Sequence, residues 1–185
     1  MKVYEKPGPH NTDETCRIAV ERAMILGAPI VSATTKGASG VLLCEIAKEM
    51  GFRGDVVIVT HAYGSYEPGQ NVLDDGHRQT MLNHGVRIVT AAHALSGVER
   101  GISRKFQGTY PAEIIANALR MLSQGVKVAV EIGCMALDAG QIEHGKPVVC
   151  IGGSGQGLDT AVIMSPAHAN NIFETNIHEI LCMPY

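Results

Sequence analysis

Short β-branched runs, each followed by a polar or glycine-rich turn and then an amphipathic stretch, constrain this chain more than any other feature. Pro29-Ile30-Val31-Ser32-Ala33, Val56-Val57-Ile58-Val59 and Val86-Arg87-Ile88-Val89-Thr90 read as buried strands. Helical periodicity separates them. An Asn11-Thr12-Asp13-Glu14 start, close to a capping box, leads into a stripe of Cys16, Ala19, Val20, Ala23 and Leu26 closed by Gly27. A second helix is expected from Val41 to Met50 and a short one from Asp74 to His84, with Gly85 as its cap. Leu95 to Phe106 offers a glycine-weakened helix, and Thr109-Tyr110-Pro111 starts another with Ile114, Ile115, Ala118, Leu119 and Leu122 as its buried stripe. Val126 to Ile132 and Pro147 to Ile151 read as further strands, with two more in Thr160 to Met164 and Ile177 to Met183. Strands alternating with helices predict βαβ units, hence one α/β domain over residues 1–185 with a mainly parallel sheet covered on both faces.

Composition excludes several classes. Apolar residues make up 45% and charged residues 18%, so a disordered chain is ruled out. Fifteen Lys and Arg face eighteen Asp and Glu, with no basic run longer than Arg104-Lys105, which argues against nucleic acid as a partner. No apolar stretch approaches ~20 residues and Met1–Pro7 lacks the core of a signal peptide, so the expected location is cytoplasmic, without membrane insertion. Five scattered cysteines without a C-x-x-C pair fit reduced thiols.

Ligands of open parallel sheets sit beyond the carboxyl ends of the strands, where strand order reverses. The turn Thr34-Thr35-Lys36-Gly37-Ala38-Ser39-Gly40 joins a strand to a helix and combines free N–H groups, hydroxyls and a cation, which suits a phosphate. It is no Walker A loop, since G-x-x-x-x-G-K-[ST] is absent. Gly152–Thr160 is glycine-rich enough to form an N–H nest around a second anion or to approach a flat ring, and serves equally well as a tight turn. His61 and His93 each follow a strand, and with Glu131 they suit acid–base work better than metal binding. Cys134 stands where a helix start could lower its pKa, although a small core thiol is the simpler reading. The remaining histidines (His10, His77, His84, His144, His168, His178) read as surface or capping residues.

The strand–Thr-Lys-Gly-x-Ser–helix turn resembles the C-terminal α/β domain of pyruvate kinase, where a Thr-Lys-Ser-Gly-x-Ser turn holds the phosphate of a sugar-bisphosphate effector. The whole chain is similar to a stand-alone family of that superfamily from archaea and bacteria. The likeness runs through Ala33–Gly40, Val59–Gly64, Gly125–Cys134, Val148–Thr160 and Ser165 to Pro184. It implies a three-layer α/β/α sandwich with a mostly parallel mixed sheet and core strand order 3-2-1-4-5, counted from Pro29. That order would set Thr34–Gly40 against Glu131–Cys134. Members of the stand-alone family are associated with flavin mononucleotide, their reaction being unassigned. The resemblance thus implies a flavin phosphate on Thr34, Thr35, Lys36, Gly37, Ala38, Ser39 and Gly40. The ring would lie by His61, Gly64, Gly133, Gly153, Ser154, Gly155, Gly157, Asp159 and Thr160, with His61, His93, Glu131 and Cys134 as catalytic candidates. The catalytic barrel of pyruvate kinase, ~250 residues, is absent, so that activity is rejected.

Three functions stay open. The first is a phosphate-ligand domain holding flavin mononucleotide in support of a redox reaction. A non-catalytic module sensing a sugar phosphate or nucleotide is the second. A hydrolase or lyase acting on a phosphorylated metabolite, with His61 or His93 as base, is the third. A homo-oligomer is expected from the exposed strand edges.

Overall fold

The structure, a computed structural model, describes residues 1–185. Seven strands form one sheet: β1 (Lys2–Tyr4), β2 (Ile30–Ala33), β3 (Val56–Thr60), β4 (Arg87–Thr90), β5 (Val148–Gly152), β6 (Thr160–Ser165) and β7 (Asn176–Pro184). Six α-helices join them: α1 (Thr12–Leu26), α2 (Ala38–Glu49), α3 (Asp75–Asn83), α4 (Gly97–Phe106), α5 (Pro111–Arg120) and α6 (Gln124–Asp138). The sheet order is β1-β7-β6-β5-β2-β3-β4. Strands β5, β2, β3 and β4 are mutually parallel, β6 is antiparallel to both neighbours, and β1 pairs parallel to β7.

Alternation along each strand divides the core. Ile30, Ile58, Val149 and Ile151 point to α1 and α2, meeting Cys16, Ala19, Val20, Ala23, Leu43 and Ile46. Their neighbours Val31, Val57, Val59, Val148 and Cys150 point the other way, onto Val126, Ala129, Val130 and Ile132 of α6. This is the expected three-layer sandwich.

The expected strand Val126–Ile132 is instead the first half of α6, the only helix of the layer that covers this second face of the sheet around β5. Ser123 accepts a hydrogen bond from the Val126 N–H and caps it. With that correction the order 3-2-1-4-5 holds for β2, β3, β4, β5 and β6. The strand beside β2 is therefore β5, and the Thr34–Gly40 turn borders the loop after Gly152 rather than Glu131–Cys134. Close packing explains two glycines: a Cβ on Gly125 would collide with Thr160, and one on Gly152 with the Gly125 carbonyl.

Smaller differences have local causes. Asn11 does not cap α1; its Nδ2 donates to the Lys6 carbonyl at 2.8 Å. Helix α2 begins at Ala38, three residues before the expected start, because Gly37 supplies the left-handed turn (φ 108°). On α5 only Ala116 is buried, so the expected inner stripe is largely outside, with Ile114 57% and Leu122 47% exposed. All five cysteines are free and buried. No helix is long and apolar enough to cross a membrane.

Candidate functional site

The carboxyl edge of β2, β3 and β4 gathers the polar groups. At the end of β2, Thr34 is buried and its hydroxyl shares a 3.0 Å hydrogen bond with Ser39. No side chain caps α2, so the amides of Ala38, Ser39 and Gly40 have no protein partner and face outward at the positive end of a helix. Lys36 is exposed beside them. The turn is braced from behind, since both the Asp74 N–H and His77 Nδ1–H donate to the Lys36 carbonyl, at 3.2 and 2.9 Å. A Cβ on Gly37 would strike the His77 side chain, so only glycine lets α3 hold the turn this closely.

At the ends of β3 and β4 the His61 and His93 rings lie 5.0 Å apart, tilted by 32°. Tyr66 meets His61 edge-on at 5.5 Å from the loop in which Gly64 donates to the Gln70 carbonyl. A 2.7 Å bond between the Thr60 and Thr90 hydroxyls ties the two strand ends together. Neither imidazole bonds to a protein group, so four ring nitrogens remain for a ligand. Burial depresses both imidazole pKa values, for His61 with help from His93, so the rings favour the neutral form.

Behind the rings α6 places Lys127 and Glu131 one turn apart, both almost fully buried and joined by a 2.5 Å ion pair. The other Glu131 oxygen accepts the Leu95 N–H at 3.0 Å, fastening the segment after β4 to α6. Burial lowers the Lys127 pKa while Glu131 opposes that shift. Lys127 escapes a sequence reading because a lysine in a β-branched run looks like the exposed side of a strand. Its i,i+4 spacing to Glu131 was the available signal.

Other candidates lie elsewhere. Cys134 is in the third turn of α6, where burial pushes its thiol up to about 12 and its S–H points to Asp138 at 3.8 Å; it has no helix-start activation. Gly133 packs against Cys150 and Pro166 on the sheet side of α6. Asp159 is fully buried and accepts from the N–H groups of Gly8 (3.1 Å) and Ser154 (3.2 Å) and the Thr160 hydroxyl (3.0 Å). The anion held by the glycine loop is thus the chain's own carboxylate. Gly153 and Gly157 pack backbone to backbone within that loop, while Gly155 is exposed. His168 is more than a surface residue, for its Nδ1–H donates to Asp138 at 2.8 Å and its ring stacks on His144.

A cleft of about 840 Å³ opens at the opposite edge of the sheet, between Arg53, Asp55, Arg87, Glu143 and Lys146. Its charged side chains are exposed and Arg87 is already paired with Asp55 at 2.8 Å. The buried polar chemistry converges at the carboxyl edge.

One solved structure similar to this chain is O-acetyl serine sulfhydrylase isoform 3 from Entamoeba histolytica, at 14% identity and a TM-score of 0.32. The match covers 71% of this chain and 46% of that one, so the chain spans less than half that protein's length, and at this score the likeness carries no argument. The family model of the pyruvate kinase alpha/beta domain matches residues 13–164, from the first turn of α1 to the end of β6. The match takes in the Thr34–Gly40 turn, the histidine pair and the whole of α6, and on that ground this chain belongs to the pyruvate kinase alpha/beta domain family.

Proposed function

We propose that this domain binds a phosphate-bearing small molecule at Thr34–Gly40, with flavin mononucleotide as the occupant and a redox reaction as its use. The observation that carries the reading is the uncapped start of α2. Three amides without partners, the Thr34 and Ser39 hydroxyls and the Lys36 cation surround one point at the carboxyl edge. The residues fit the rest of the group. The unbonded nitrogens of His61 and His93 and the ring of Tyr66 offer polar and flat surfaces beside the turn. Bound there, a flavin supplies electron transfer; the chain supplies anchorage through the turn and hydrogen bonding through the imidazoles.

Visible absorbance of the gently purified protein, before and after adding flavin mononucleotide, tests the occupant. A co-purifying or perturbed flavin band is expected. A colourless protein that leaves added flavin unchanged shifts the occupant to a sugar phosphate or nucleotide, read by a non-catalytic sensor. Lys36→Ala with Ser39→Ala should weaken phosphate-ligand binding by roughly 1–3 kcal/mol as charge-assisted bonds are lost. Unchanged affinity in a calorimetric titration removes the cradle.

The neutral, unbonded imidazoles favour a second reading. A hydrolase or lyase would use one of them as general base on a phosphorylated metabolite. Turnover, with binding kept, would then vanish in His61→Gln or His93→Gln.

A further inference from the structure

We infer that helices α4 and α5 form the docking face for a second copy of this chain. Helix α4 buries none of its residues, yet Val98, Ile102 and Phe106 stand four residues apart on one line and are 83%, 38% and 67% exposed. Helix α5 adds Ile114, Leu122 and the neighbouring Met121, the last 85% exposed. Sequences with this spacing put such a stripe under cover, and a monomer rarely exposes so large an apolar surface without a partner.

Charge decides what the partner is. Residues 97–122 hold four basic and two acidic side chains. Both acids are turned inward: Glu113 accepts from Ser103 at 2.9 Å and Glu99 accepts the Glu113 N–H at 3.1 Å. Arg104 and Lys105 are left at the rim as uncompensated charge beside Phe106. The remainder of the chain holds eleven basic and sixteen acidic side chains, so the acid excess that would complement this face lies on the rest of the same molecule. An apolar stripe with a basic rim meeting an acidic surface elsewhere on an identical chain is a heterologous contact, which closes into a ring when the rotation allows. Two exposed helices of ten residues, each about 15 Å long, provide a surface on the scale of the ~800 Å² per partner that a stable interface uses.

Sedimentation equilibrium of the full chain tests this, with Ile102→Asp/Phe106→Asp and Arg104→Glu/Lys105→Glu as variants. All four side chains are exposed, and far-ultraviolet circular dichroism with a melting curve checks that each variant keeps the fold. The wild type should sediment at a multiple of 19.7 kDa, the apolar variant as a monomer, and the charge variant with dissociation weakened at least tenfold. Added salt should reproduce the effect of the charge variant in the wild type. A wild type that stays monomeric at about 100 μM, on the weak side of typical specific affinities, overturns the inference. So does an assembly that survives both variants, since its contact then lies on another face. Binding of a monomeric wild type to anionic vesicles, lost in the apolar variant, would assign the face to a membrane surface and overturn it as well.

Discussion

His61 and His93 show how position alone sets chemistry. Each follows a β-branched strand and carries no bond to the protein, so burial decides its protonation. An unfolded histidine takes up a proton as the pH falls through about 6.5, whereas the folded pair stays neutral to lower pH. Below about pH 6.5 the unfolded chain therefore binds more protons, and the stability contributed by the neutral pair is lost as acidity increases. The melting temperature of the wild type should fall more between pH ~7.5 and ~5.5 than that of His61→Gln/His93→Gln. Parallel curves would mean that the imidazoles titrate normally in the fold. Both histidines were legible in the sequence because each sits directly after an unmistakable strand. Lys127 was not, since its burial depends on a partner one helical turn away inside a segment that reads as a strand.

Helix α6 shows where element-level reading runs out. Val126, Val128, Val130 and Ile132 alternate like a buried strand, and a helix buried along almost its whole length leaves no polar stripe to betray it. Only the Ser123 cap and the length of the segment favour a helix. Misreading it displaced Glu131 and Cys134 to a strand end and set the wrong neighbour against the Thr34–Gly40 turn. That turn was legible because Gly37 and Ser39 mark the start of α2 directly. Gly37→Ala at φ 108° should cost about 1–3 kcal/mol in urea unfolding, since the new methyl strikes His77 and forces a left-handed backbone on a residue with a side chain. It should also weaken phosphate-ligand binding. A variant of unchanged stability would show that α3 moves aside easily and does not brace the turn.

Across the whole molecule, the first residues belong to the core. Tyr4 is 5% exposed and donates or accepts a 3.0 Å bond with Thr15, and Gly8 completes the shell around Asp159 across 151 positions of sequence. Three residues are too short a run to announce a strand, and the buried role of Asp159 depends on a donor far away in the chain. Neither could be read locally. Deleting residues 1–8 should lower stability by at least about 3 kcal/mol, the scale of losing a buried aromatic. At ~2–4 °C per kcal/mol for a chain of this size, the melting temperature should drop by roughly 6 °C or more. A truncated chain melting with the wild type would show that β1 is an accessory strand.

The parallel pairing of β1 with β7 also sets how this domain bears load. Lys2 lies beside Cys182 and Tyr4 beside Pro184, so the two outermost segments run side by side in the same direction. A pull on the two chain ends draws β1 backward and β7 forward along their common axis. The bonds between them are then loaded together, in shear, instead of peeling one after another. Strung between two anchors, this domain would hold until the whole pair slid at once.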